Sequence, residues 1–168
     1  MSADTPEDLP AVRVASATRV IAAPAAVIFE LIADPSQQPR WDGNDNLAQA
    51  APGQRVHAVD DVFVMSLTKD GAVRENTVVE FVEGRLIAWR PAPPGKPPPG
   101  HLWRWELEPL DDGVDDPSGA GGARTAVTHT YDWTELTDPA RFRRAAATTP
   151  ERLRASLDRL AALAGQSG

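Results

Sequence analysis

Few residues in this chain can do chemistry. It has three histidines, one tyrosine and no cysteine. Two of the histidines and the tyrosine fall in two strand-like stretches. In Arg124 to Trp133, strict alternation puts Val127, His129, Tyr131 and Trp133 on one face, and Ala126, Thr128, Thr130 and Asp132 on the other. In His101 to Glu108, the same period puts His101, Trp103, Trp105 and Leu107 together. A third stretch, Val73 to Val82, reads Val73, Glu75, Thr77, Val79 and Phe81 on its more apolar side. A fourth, within Val59 to Thr68, adds Phe63 and Met65. If these faces converge, they form an aromatic pocket with isolated polar groups, the usual make-up of a small-molecule site. Its expected lining is Phe63, Met65, Glu75, Thr77, Trp103, Trp105, His129 and Tyr131. Glu75, His129 and Tyr131 are the candidates for acid/base work, since a carboxylate, an imidazole and a phenol can exchange a proton or hold an oxyanion.

Each residue also has a plainer role. His129 can be a core histidine with its nitrogens satisfied, and Tyr131 can be packing with its hydroxyl tied to one partner. His101, at a strand end, suits a half-exposed rim. Trp103 and Trp105 can be core alone. Glu75 depends on register, because a slip or a bulge of one residue turns it outward.

Other chemistries find no footing. There is no G-x-S-x-G, no glycine-rich phosphate loop and no H-E-x-x-H. Without cysteine, and with His57, His101 and His129 scattered, no metal site and no cofactor is implied. Asp42 to Asn46, DGNDN, begins like a calcium loop but lacks the distant glutamate, and reads as a turn. A net charge of −7 argues against nucleic acid as a partner. No run approaches the roughly 18 apolar residues of a membrane span. The acidic opening MSADTPEDLP lacks the pattern of a secretory signal, so cytoplasmic residence is expected. From Asp138 onward six arginines face three acidic residues, read as a solvated helical surface complementing an acidic body.

The elements that must position these residues are legible. The clearest is Thr148 to Ala164, where Leu153, Leu157, Leu160 and Ala164 form one apolar stripe. Thr148 with Glu151 has capping-box spacing, or Thr149 caps directly. Arg154 and Asp158 are placed to pair across a turn, and Gly165 marks the stop. Strand one covers about Arg13 to Ile21. Pro24 opens a helix that Asp34-Pro35 ends, and a second short helix follows to Trp41. Short strands succeed one another from Leu47 onward, with Lys69-Asp70-Gly71 as a hairpin turn. Pro91 to Gly100 reads as a stiff loop, and Asp111 to Gly122 as a flexible acidic connection. Residues 1–11 and 165–168 read as disordered tails around a single domain, 12–164.

This order resembles the α+β helix-grip fold of the START-like or SRPBCC superfamily, which includes birch-pollen-allergen-like proteins. IAAPAAVIFELIADPSQQPRW is similar to the strand-one exit and helix pair of bacterial polyketide cyclase/dehydrase-like members. VVEFVEGRLIAWRP resembles their central hairpin, and ERLRASLDRLAALA their closing helix. The resemblance spans about Val14 to Ala164. It implies a curved antiparallel sheet wrapped around the C-terminal helix, with two short helices after strand one and a cavity between sheet and helix. It also implies a hydrophobic small molecule as partner, and a monomer or weak homodimer. The superfamily has no universal catalytic motif, so no catalytic residue transfers by position. Three functions follow as expectations: a binding protein for an apolar or aromatic molecule, a polyketide cyclase or aromatase using the cavity residues, or a regulatory interaction protein with an incidental cavity.

Overall fold

The computed structural model describes residues 12–110 and 122–166. Most of the acidic connection and both expected tails, except Gly165 and Gln166, lie outside the described residues. The elements run β1 (Val14–Ile21), α1 (Ala25–Ala33), a 3₁₀ turn (Pro35–Gln37), α2 (Gln38–Trp41), β2 (Leu47–Gln49), β3 (Val62–Leu67), β4 (Val73–Val82), β5 (Leu86–Ala92), β6 (Leu102–Leu110) and β7 (Arg124–Asp132). A second 3₁₀ turn (Pro139–Arg141), α3 (Phe142–Ala146) and α4 (Pro150–Gln166) complete the chain. The strands form one curved antiparallel sheet in the order β1-β7-β6-β5-β4-β3-β2. This is the expected helix-grip arrangement.

Local chemistry explains the connections. Lys69 to Ala72 closes β3–β4 with positive φ at both Asp70 and Gly71, the mirror-image turn that matches strand twist. β5 runs on through Pro91 to Ala92, where a loop was expected. Past Trp89 the strand is paired with β4 but no longer with β6, and such an edge-like position tolerates proline. The last carbonyls of α1 are capped from the next helix: Gln38 Nε2 donates to Ile32 O (3.1 Å) and Trp41 Nε1 to Leu31 O (2.8 Å). These bonds satisfy acceptors that a helix end otherwise leaves open, and they lock the two short helices together.

The closing helix buries Leu153, Leu157, Leu160 and Ala164, each at most 3% exposed. Thr149 provides its cap, its hydroxyl accepting from Arg152 N at 3.4 Å. Two expectations change here. The helix continues through Gly165 to Gln166. Asp158 pairs with Arg19 of β1 (2.6 Å) while Arg154 donates to Thr18 O (3.3 Å), so both side chains clamp the helix to β1. On its other flank α4 meets the Asp42–Asn46 turn. Gly43 N donates to Ser156 Oγ (2.8 Å), and Arg159 reaches both Asp42 O (2.6 Å) and Asp45 Oδ1 (2.7 Å). A Cβ on Gly43 would lie 2.7 Å from Ser156 N, so only glycine permits this approach.

Leu157 is fully buried. Leu157→Ala is expected to lower stability by about 2–5 kcal/mol, through lost transfer energy and the void left behind. Chemical denaturation checks this; an unchanged midpoint would place the stripe outside the core.

Candidate functional site

β6 and β7 are direct partners, in a register that sets Trp103 opposite Tyr131 and Trp105 opposite His129. Same-face residues on paired strands touch, and these four form an aromatic wall. Trp105 and His129 stack with ring centroids 3.6 Å apart and planes 19° from parallel. Trp103 and Tyr131 lie 4.5 Å apart, and Trp41 meets Trp105 edge-on at 5.1 Å.

The wall borders a cavity of about 330 Å³. Its deep part includes Met65, Trp41, Trp105 and His129, all buried. Its upper part includes Arg144, Ala147 and Arg152, all exposed. α4 contributes Arg152 and Ser156 to the lining, while α3 contributes Arg144 and Ala145. The space therefore lies toward the start of the closing helix, because the rest of α4 packs on β1 and β7.

Of the residues read from the sequence, Met65, Trp103, Trp105, His129 and Tyr131 line this cavity, as does His101 near its rim. Phe63, Glu75 and Thr77 do not. Phe63 is buried deeper in the core, edge-on to Trp89 at 5.3 Å. The expected inward face of β4 is corrected. The β4–β5 register shifts between Val78 and Glu80, a bulge that swaps the faces midway along the strand. Phe81 therefore packs inward on Phe29, while ahead of the bulge Asn76 and Val78 are the buried residues. Glu75 and Thr77 consequently lie on the other face, and Glu75 Oε1 accepts from Gly95 N (3.1 Å) in the proline-rich loop. The cavity gains Arg74 and Asn76 in their place. Two adjacent valines at 78 and 79, flanked by polar residues of both parities, were the signal of such a bulge.

Electrostatics differ sharply with depth. His129 is 3% exposed, and neither ring nitrogen has a hydrogen-bond partner; Trp105 Nε1 also lacks one. Burial alone pushes the His129 pKa down to about 3, so the ring is neutral at physiological pH. Burial pushes the Tyr131 hydroxyl up to about 12, against the pull of Arg144 and Arg141, so it stays a neutral donor. His101 is held down to about 4, first by burial and then by Arg141, Arg144, Arg74 and Arg90. Asp42, the sole carboxylate on the lining among the described residues, is spent on the backbone: it accepts from Asn44 N (3.0 Å), Asn46 N (2.9 Å) and Leu47 N (3.2 Å). Among the described residues the cavity thus holds neutral donors and acceptors at depth and no free carboxylate. Among the described residues no cluster of His, Asp and Glu is placed to hold a metal ion. Nor is any helix long and apolar enough to cross a membrane.

A curved antiparallel sheet with a closing C-terminal helix and a cavity beneath defines a START-like, helix-grip protein. Residues 13–165 match the family model described as polyketide cyclase / dehydrase and lipid transport, and the chain belongs to that family. Solved structures share the fold at low identity. A START superfamily protein of Mycobacterium smegmatis is 16% identical with a TM-score of 0.59, covering 92% of this chain and 99% of its own. The Zhui aromatase/cyclase of Streptomyces sp. R1128 is 17% identical with a TM-score of 0.59, covering 91% and 93%. A hypothetical protein of Helicobacter pylori is 16% identical with a TM-score of 0.63, covering 95% and 90%. No curated protein matches the chain in sequence.

The buried imidazole carries a pH signature. Between about pH 6.5 and 3 the unfolded chain binds a proton that folded His129 refuses, so stability falls as pH drops through that window. His101 acts in the same direction down to about 4. His129→Phe is expected to reduce the loss of stability between pH 7 and pH 4, read as denaturation midpoints at the two values. A loss as large as in the unaltered chain would contradict a neutral His129.

Proposed function

We propose that this protein binds an aromatic or otherwise apolar small molecule in the cavity beneath α3 and the start of α4. The observation that carries the reading is His129. Leaving a buried polar group without a partner costs about 1–3 kcal/mol, and an apolar residue there would avoid the cost. A histidine at the cavity wall is reasonable if a ligand supplies its partner. Its neutral state suits a ligand hydroxyl or carbonyl, and Trp103, Trp105 and Tyr131 suit a flat ring system. The family's lipid and polyketide chemistry and the fold shared with an aromatase/cyclase point the same way.

A second reading is ring closure of a poly-β-ketone by cyclase chemistry. Its support is Tyr131 on the cavity wall, a phenol able to donate to an enolate oxygen, beside the neutral ring of His129. With Glu75 on the other face of β4 this reading lacks a carboxylate base, which ranks it second.

Binding is tested with N-phenyl-1-naphthylamine, a neutral aromatic probe. The expected result is saturation at about one per chain with quenching of tryptophan emission, and abolition by Ala145→Trp, which fills the cavity. Absence of saturable binding would overturn the binding reading. His129→Ala and Tyr131→Phe, assayed with a poly-β-ketone substrate, test the second reading; cyclisation untouched by both would reject it.

A further inference from the structure

The upper wall of the cavity is cationic, and its charges come from separate elements. Arg74 starts β4, Arg141 and Arg144 lie at and within α3, and Arg152 sits in the first turn of α4. Burial and the neighbouring Arg144 and Arg141 all disfavour the charge on Arg74. The same two arginines act on His101 and on Tyr131, so their field reaches across the cavity. Among the described residues little neutralises this field. Arg74 Nη1 donates to Val73 O (2.9 Å), and Arg141 has a loose contact with Asp138 at 3.7 Å. Asp42 is occupied by three backbone N–H groups. The start of α4 adds the partial positive charge of a helix N-terminus.

Gathering four like charges at one wall is unfavourable in itself, even where an acidic body partly offsets it. Other arginines of the same segment are paired outward: Arg159 with Asp45, and Arg154 with the carbonyl of Thr18. The cavity-lining arginines instead converge above an aromatic wall that holds an unpartnered buried histidine.

Resting on the binding reading above, we infer that the ligand is an amphipathic anion, whose acidic oxyanion group is held by Arg74, Arg141 and Arg144 while its ring system lies against Trp103 and Trp105. Guanidinium groups suit this task, since each offers paired N–H donors to a carboxylate or phosphate. The excess of positive potential at the mouth would also draw such a ligand in.

The test compares N-phenyl-1-naphthylamine with 8-anilinonaphthalene-1-sulfonate, the same ring system bearing one acidic group. The sulfonate is expected to bind at least tenfold more tightly, to compete with the neutral probe, and to lose its advantage on raising salt from 50 to 500 mM. The Arg74→Gln/Arg144→Gln double variant is expected to weaken the sulfonate at least tenfold and leave the neutral probe within twofold, which also reports that the variant is folded. Arg144→Glu alone, at an exposed position, gives the same direction with less demand on the fold. Displacement of the sulfonate by 1-naphthoate and by 1-naphthyl phosphate ranks carboxylate against phosphate, and displacement by neither would overturn the proposal. So would equal affinity for the two probes, or a sulfonate advantage that survives the arginine substitutions. Neutral-probe binding with no anion preference defeats this inference alone, whereas no binding of either probe defeats the binding reading with it.

Discussion

The stacking of His129 on Trp105 is the contact that the cavity depends on. Their centroids are 3.6 Å apart, both residues are almost wholly buried, and neither finds a protein partner for its ring nitrogens. Such an arrangement opposes folding and persists only if the surrounding structure compensates. The compensation is visible in what encloses it. Trp41 closes one side edge-on while its own indole N–H caps α1. The leucine stripe of α4 covers the β1–β7 end of the sheet and is held there by Arg19–Asp158 and Arg159–Asp45. Exposed ion pairs of this kind add little individually. Their effect is to set where the helix lies, and with it where the sheet stays uncovered.

The uncovered part becomes the cavity because the supports differ at its two ends. Along most of its length α4 sits directly on β1 and β7. Toward its start, Arg152 and Ser156 face the cavity instead, together with Arg144 and Ala145 of α3, and the Asp42 to Asn46 turn is pinned to the helix through Gly43 and Ser156. The depth is neutral and aromatic; the upper wall is basic. An apolar ring with a polar or acidic group matches that gradient, which links the two proposals to one geometry.

Much of this was legible in the sequence. Strict alternation in β6 and β7 placed Trp103, Trp105, His129 and Tyr131 on inward faces, because a strand with one buried side must repeat every two residues. The helix stripe and the Asp-Gly turn were equally plain. Glu75 and Thr77 were misread because β4 does not keep one period: the bulge after Val78 reverses its faces, so Phe81 points inward as expected while the residues before it do not. The arginines after Asp138 were read as solvated surface. Arg154 and Arg159 are bound outward on the body, but Arg141, Arg144 and Arg152 turn to the cavity. Composition cannot tell these cases apart, since the difference lies in which side of α3 and α4 borders the cavity.

The most direct measurement of the central claim follows the three imidazoles by long-range ¹H–¹⁵N NMR during titration with 2-naphthol, a flat ring carrying one hydroxyl. The account predicts that at one equivalent the ring-nitrogen resonances of His129 shift as they gain a hydrogen-bond partner, while those of exposed His57 stay in place. Saturable binding of 2-naphthol with the His129 nitrogens unmoved would contradict it.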